Sequence, residues 1–369
     1  MKDCSTLFRG IFGREMSSRG QSVHVWDPNP FNSYGFEVAR AIAASGRSVS
    51  YWGRPGCLST ASVRRLRVLP AAGASRTVRG RVAYALGVLA FFLRMSFTRK
   101  TVVVTWTNSR LEDRGVLLLQ RLGVPTVLIV HNPVSSRDPR NRVIDSMRTN
   151  ATRVVVHEER LRGYFDRQVQ VVSHPSYSGW KDAQERSKVA SSDADSSGRP
   201  VLLFFGTFRR DKGIEDLASI DEWATERGAV LRIVVGKVPP SEQPLIDRCV
   251  TAEVLTDRET YTPDAILYRE LSRADVLVAP YSDVTASGTI ILALTMGLPV
   301  ACYRGETLSE MDRLGGAVSP GNTIELVDMA LALATSPAAA TAAKRAATEL
   351  DARSIGDWDE LLTGIEIQR

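Results

Sequence analysis

The chain has 369 residues, 44% of them hydrophobic, and a formal net charge of +6. That is ample for two domains with separate cores, and no apolar run approaches the roughly 20 residues of a membrane-spanning helix. Cys4, Cys57, Cys249 and Cys302 lie far apart with neither metal-ligand nor redox spacing, which argues against a disulfide framework or zinc module and fits a reducing cytoplasm.

Residues 1–20 carry scattered apolar side chains between Arg9, Arg14 and Arg19, too few for the core of a secretory signal. They read as an N-terminal extension, with Met16 an alternative start. Strand signals follow at 22–27 (SVHVWD), 48–52, 101–106, 125–131, 153–157 and 169–173. Between them lie helical patterns, such as 36–45 closed by Gly46 and 111–122 before Gly123. This alternation predicts a parallel sheet covered on both faces, with a binding edge at the carboxyl ends of its strands. Three loops fall at that edge: 28–35, 105–109 and 131–137.

Charge is distributed unevenly. Between Glu37 and Glu112 there is no acidic residue, while thirteen Arg or Lys occur, among them Arg64, Arg65, Arg67, Arg76, Arg79, Arg81, Arg94, Arg99 and Lys100. In their midst, 82–93 (VAYALGVLAFFL) is apolar and aromatic. Two readings fit this pattern: a segment that settles on an anionic bilayer or holds a lipid tail, or a buried domain helix with solvated basic ends. The length of the single-sign field favours the membrane surface. Nucleic acid would also attract such charge, but no nucleic-acid module accompanies it, so no such partner is expected.

Residues 180–200 turn charged, small and polar without apolar periodicity and read as a linker. A second series of strands and helices then begins, with strands at 201–205 (VLLFF) and 230–235 and helices at about 214–226 and 242–250. The loop after its first strand, Gly206-Thr207-Phe208-Arg209-Arg210-Asp211-Lys212-Gly213, has glycine at both ends and three cations that can neutralise a diphosphate. Residues 273–304 form the organising stretch. A strand at 275–280 leads through Ser287 and Gly288 into a helix at 289–296, stopped by Gly297 and Pro299. Ser287 can cap that helix, whose free first-turn amides suit a phosphate; an ordinary βαβ unit with a serine cap is the plainer reading. Helical patterns close the chain at about 336–350 and 355–367.

These residues resemble family-four glycosyltransferases. FFGTFRRDKG at 204–213 looks like that family's donor-phosphate loop, APYSDVTASGTIILALTMGLPVA at 279–301 like its nucleotide-sugar segment, and His131-Asn132 in LIVHNP matches its first-domain histidine. The resemblance implies a GT-B fold, α/β, with two Rossmann-like domains whose parallel sheets face across a cleft. It implies an extension at 1–20, an acceptor domain at 21–178, a linker at 179–199, a nucleotide-sugar domain at 200–350 and a helix at 351–369 packing back on the first domain. Arg209 and Lys212 would clamp the diphosphate with Gly206 and Arg210 beside them. Ser287, Gly288 and Thr289 would hold phosphate or sugar hydroxyls, and His131 would lie against the sugar. Read without the resemblance, His131 is a structural histidine at a strand end, the role also given to His157 and His174. Asn32 and Gly35, in loop 28–35, are the acceptor-side candidates. The family's paired glutamates are missing, with Val284 and Leu292 at those positions; Asp283 and Glu310 are nearby carboxylates.

The reading is a retaining glycosyltransferase that moves a sugar from a nucleotide diphosphate sugar to an acceptor hydroxyl. A lipid-linked or membrane-adjacent glycan is the expected acceptor, and the inner face of the cell membrane the expected place of work. No cofactor or metal is expected, because Arg209 and Lys212 supply the positive charge and no Asp-x-Asp pair is present. A nucleotide-sugar epimerase and a non-catalytic nucleotide-sugar-binding scaffold are the alternatives, the second favoured by the missing glutamates.

Overall fold

The computed structural model describes residues 22–29, 32–54, 62–71, 77–131, 141–165, 169–187, 198–257, 261–281, 287–303, 317–318 and 321–367. The chain divides into two units, one of Met1–Pro175 with Ala352–Arg369 and the other of Ser176–Asp351.

In the first unit, β1 (Ser22–Asp27), β2 (Ser48–Gly53), β3 (Val63–Arg67), β4 (Thr101–Val104), β5 (Thr126–Ile129), β6 (Arg153–Val156) and β7 (Gln170–Val171) form one sheet. Their order is β3-β2-β1-β4-β5-β6-β7, with every neighbouring pair parallel. Interior strands such as β4 (TVVV) are continuous β-branched runs because both faces are covered. The helices are α1 (Tyr34–Ala44), α2 (Val78–Thr98), α3 (Arg110–Arg121) and α4 (Asn141–Asn150). Ser109 caps helix α3: its Oγ accepts from the Glu112 amide and donates to the Glu112 carboxylate at 2.8 Å. Under α2 lies an aromatic core in which Trp26 stacks on Phe91 at 4.4 Å and Trp52 meets the same ring edge-on at 5.1 Å. Each such buried ring contributes about 2–3 kcal/mol from apolar burial.

The second unit holds β8 (Val201–Gly206), β9 (Val230–Val235), β10 (Glu253–Thr256), β11 (Val276–Ala279), β12 (Val300–Cys302) and β13 (Ala317–Val318). Their order is β10-β9-β8-β11-β12-β13, again all parallel. Around them are α5 (Ser178–Arg186), α6 (Leu217–Glu226), α7 (Gln243–Asp247), α8 (Asp264–Arg273), α9 (Gly288–Met296), α10 (Thr323–Ala334) and α11 (Pro337–Ile367). Both sheets are doubly wound, and the winding reverses between β1 and β4 in one and between β8 and β11 in the other. A ligand crevice opens at such a switch point, outside the carboxyl ends of the strands.

Two expectations need correction. The linker does not begin at 179: residues 178–186 are α5, with Trp180, Ala183 and Gln184 buried one turn apart. The surrounding charges concealed those three inward positions. The closing helices expected at 336–350 and 355–367 are one continuous helix, α11. Its end lies in the first unit, where Trp358 is fully buried, the Ser173 amide donates to Asp357 at 2.7 Å, and Arg47 pairs with Asp359.

Candidate functional site

In the second unit, the loops after β8 and β11 flank the switch point, and glycines set how closely they approach. Gly206 ends β8 at φ +133°, a conformation open essentially to glycine, and a Cβ there would stand 3.5 Å from the Thr289 Oγ1. Phe208 is buried and anchors the loop, while Arg210–Lys212 make a single 3-10 turn. Gly213 ends that turn at φ +68°, pressed so tightly on the end of β11 that a Cβ would meet the Pro280 carbonyl oxygen at 1.7 Å.

This packing delivers Lys212 to the next residue, Tyr281. The Lys212 Nζ lies 4.0 Å from the Tyr281 ring centroid, a cation held over an aromatic face. Tyr281 is buried, its pKa is pushed up to about 12 by that burial, and its hydroxyl hydrogen-bonds Thr289 and Ser287 at the start of α9. Ser287 occupies the cap position but makes no side-chain capping bond, contrary to the cap expected of it, because its hydroxyl is turned to Tyr281. Ser287 therefore leaves the first amides of α9 uncapped, and the positive end of the helix dipole there suits an anion. Gly288 passes under the Tyr177 hydroxyl, which would lie 2.7 Å from a Cβ placed there.

The fold thus brings Gly206, Lys212, Ser287, Gly288 and Thr289 together. The two arginines of the loop differ. Arg209 is 60% exposed and pairs with Asp211 at 2.7 Å. Arg210 is 70% exposed and pairs with Glu242 at 3.3 Å and Glu215 at 3.5 Å. Leu292, at one of the missing glutamate positions, is buried; Asp283, Val284 and Glu310 lie outside the described residues. Tyr281 was not among the expected site residues, and its only mark in the sequence is an aromatic directly after a strand-ending proline.

At the carboxyl edge of the first unit, consecutive strands each contribute a ring. Trp106 follows β4, His131 follows β5, His157 follows β6 and His174 follows β7, with Tyr34 of α1 among them. His131 is stacked on Trp106 at 4.0 Å with planes 6° apart, and Tyr34 meets it edge-on at 4.7 Å. His157 donates from Nδ1 to the Val172 carbonyl at 2.6 Å, so its Nε2 accepts from the Tyr34 hydroxyl. His174 donates from Nδ1 to the Pro175 carbonyl at 2.7 Å. Burial lowers all three pKa values, to about 3 for His131, about 4 for His157 and well below the ordinary value for His174. The rings are neutral at physiological pH. Among the described residues the His131 Nε2 has no hydrogen-bond partner, although a backbone bond to Thr105 fixes the ring. A buried acceptor left open in this way suits a ligand hydroxyl.

The other acceptor-side candidates have local roles. The Asn32 Oδ1 accepts from the Tyr34 amide at 3.2 Å, at the entry to α1. Gly35 is buried against Asp27, where a Cβ would come 2.2 Å from the carboxylate, so glycine here allows the close packing of α1 on β1. Asp27 is fully buried with its pKa raised to about 6 by burial, against the opposing hydrogen bonds from Asn29, Tyr51, Thr105 and Gly35. Among the described residues no cluster of His, Cys, Asp and Glu is arranged to hold a metal ion.

No family model matches the chain. A GDP-mannose:glycolipid 4-beta-D-mannosyltransferase of Xanthomonas campestris pv. campestris is 28% identical over 188 residues, 50% of this chain and 52% of that one. The chain therefore spans about half the length of the curated relatives it matches first. Among solved structures, sucrose-phosphate synthase from Thermosynechococcus elongatus aligns with a TM-score of 0.61 over 94% of this chain and 98% of its own, at 16% identity. Anabaena HepE, in complex with UDP and glucose, aligns with a TM-score of 0.56 over 95% of this chain and 100% of its own, at 12% identity. The two parallel α/β units have the GT-B fold of these neighbours.

Proposed function

We propose that the protein is a glycosyltransferase that moves a sugar from a nucleotide diphosphate sugar to a hydroxyl of a glycolipid or other membrane-adjacent glycan. One observation carries the reading: Lys212, Tyr281 and the uncapped start of α9 form a single cationic corner at the switch point of the second sheet. A pyrophosphate needs that combination of a mobile ammonium and fixed amides. The glycolipid acceptor and a GDP-mannose donor are the first to try, because they are named for the Xanthomonas relative; UDP is the nucleotide named for HepE.

In this reading the donor diphosphate sits on the amides of Gly288 and Thr289, Lys212 stabilises the charge that grows on the leaving phosphate, and Arg209 swings from Asp211 to join it. In the first unit, the neutral His131 Nε2, which has no partner among the described residues, is the acceptor this reading offers to a ligand hydroxyl. The acceptor proton passes to the departing phosphate, so the anomeric configuration is retained and no separate base takes part. The cations do the work a divalent ion would otherwise do, and turnover is expected to survive chelation by EDTA.

A second stereochemical reading is favoured by the β-mannosyl product named for the Xanthomonas relative, which from an α-linked donor requires inversion. Inversion needs a base for the acceptor proton. Asp27 has the raised pKa for that task, but its oxygens are engaged by Tyr51 and Asn29, so the network would have to open. Proton NMR of the product's anomeric coupling separates the two courses.

The transfer reading is tested by release of nucleotide diphosphate and by thermal stabilisation with a panel of nucleotide sugars. Lys212→Ala should lower kcat about 100-fold or more while costing only about 1 kcal/mol of stability, the loss of its contact with the Tyr281 ring. An isomerised donor would identify an epimerase, stabilisation without turnover a scaffold, and normal turnover by Lys212→Ala would remove the loop from the mechanism.

A further inference from the structure

Helix α2 is long and apolar enough to cross a membrane, by length and composition alone. Its packing rules out that use. Val88, Phe91, Phe92 and Met95 belong to the core of the first unit, and Gly87 lies so close to the segment after β3 that a Cβ would meet the Val68 carbonyl oxygen at 2.1 Å. Tyr84 is also tied by its hydroxyl to the buried Glu112 of α3. The helix is a fixed part of the domain.

Its opposite side is apolar too. Val78, Val82, Leu86, Leu89, Leu93 and Phe97 are exposed by 46–85%, Phe97 the most at 85%. Their spacing of four, four, three, four and four residues puts them in one stripe along the helix, which runs about 30 Å at 1.5 Å per residue. Six large apolar side chains in one line far exceed the scattered exposure of an ordinary surface. Basic residues stand at both ends of the stripe: Arg79 and Arg81 at its start, Arg99 and Lys100 just past its finish. No acidic side chain occurs anywhere from residue 38 to residue 111 to balance them.

We propose that this face of α2 is a membrane seat: the helix lies in the plane of an anionic bilayer, its stripe among the acyl chains and its terminal cations on lipid phosphates. The charge pattern selects this occupant over a second copy of the chain. A two-fold dimer through the stripe would bring basic ends against the partner's own basic helix, which itself carries no carboxylate to pair them. The proposal is independent of the sugar-transfer reading and stands or falls without it.

The test is flotation with vesicles of phosphatidylcholine containing about one third phosphatidylglycerol, against phosphatidylcholine alone. Full-length protein should float with the anionic vesicles only, and raising salt from about 0.1 to 0.5 M should weaken binding. Leu86→Glu/Leu89→Glu/Leu93→Glu changes exposed positions, so circular dichroism and melting temperature should be unchanged while vesicle affinity falls at least about tenfold. A charge variant, Arg79→Ser/Arg81→Ser/Lys100→Ser, should lose the preference for anionic lipid. Phe97→Trp should shift its emission to the blue on anionic vesicles and be quenched by brominated acyl chains. No flotation, equal flotation of the triple glutamate variant, or a dimer in light scattering that this variant dissociates would overturn the proposal.

Discussion

Lowering the pH should loosen the first unit and spare the second. All four histidines of the chain belong to the first unit, and each is held neutral by burial. In the folded state His24 titrates at about 3, His131 at about 3 and His157 at about 4, against 6.5 when exposed. Because the unfolded chain binds these protons and the native one does not, stability falls as pH drops through 6.5 and continues to fall toward the native pKa. From about pH 7 to about pH 5 each such imidazole withdraws about 2 kcal/mol. Asp27 acts with the opposite sign, since a carboxylate raised to about 6 gains its proton first in the folded state, and it returns about 1 kcal/mol over the same interval. The three rings and Asp27 together leave a loss of about 4 kcal/mol, a large share of the 5–15 kcal/mol typical of a domain. His174 adds in the same direction. Protonating His24 also costs the 2.9 Å bond that its Nδ1 accepts from the Trp52 indole. Calorimetry across this range should show one transition moving down with acid while the other holds, and histidine C2 proton shifts should show no titration near 6.5. Ordinary histidine titration, or two transitions that move together, would refute the account of this buried cluster.

Tyr281→Phe keeps the ring under Lys212 and removes the hydroxyl from Ser287 and Thr289. It should cost about 1–2 kcal/mol of stability and weaken nucleotide binding by a similar amount, read by urea titration and calorimetry. Gly213→Ala places a Cβ on the Pro280 carbonyl in a left-handed conformation; the strain of the conformation alone is about 1–2 kcal/mol, and the contact forces the loop off β11. Nucleotide stabilisation should vanish in that variant even at temperatures where the domain remains folded.

The interior of each sheet was readable from the amino-acid order because buried parallel strands are unbroken apolar runs, as in VVVV-like β4 and VLLFF at the head of β8. The strands that escaped notice are at sheet margins. In β3, VRRLR, arginines occupy three of five positions; in β10, EVLT, Glu253 and Leu255 face solvent; and β13 has only two residues. A margin strand has neighbours on one side only, and its polar composition protects it from edge pairing while hiding it from a hydrophobicity reading. The site divides along similar lines. Gly206 and Gly213 announced close backbone approach, since that need is local. The join between Lys212 and the start of α9 through Tyr281 depends on β8 and β11 being neighbours, a consequence of strand order that no local spacing encodes. Arg210 has the same place in the loop as Arg209, and the Glu242 and Glu215 that pair with it come from elements no local spacing connects to it.

The first unit is assembled from two stretches of chain separated by the whole of the second. Trp358, Leu361, Leu362 and Ile365 fill a part of it that residues before 176 leave open, and Arg47 waits for Asp359. During synthesis the earlier stretch must therefore emerge from the ribosome with an apolar notch uncovered and keep it so while some 175 further residues are translated. The second unit is contiguous and is free to fold as soon as it appears. A fragment ending at residue 175 should consequently be a poor solitary domain, and grafting the 352–367 helical segment onto it is the economical way to make one.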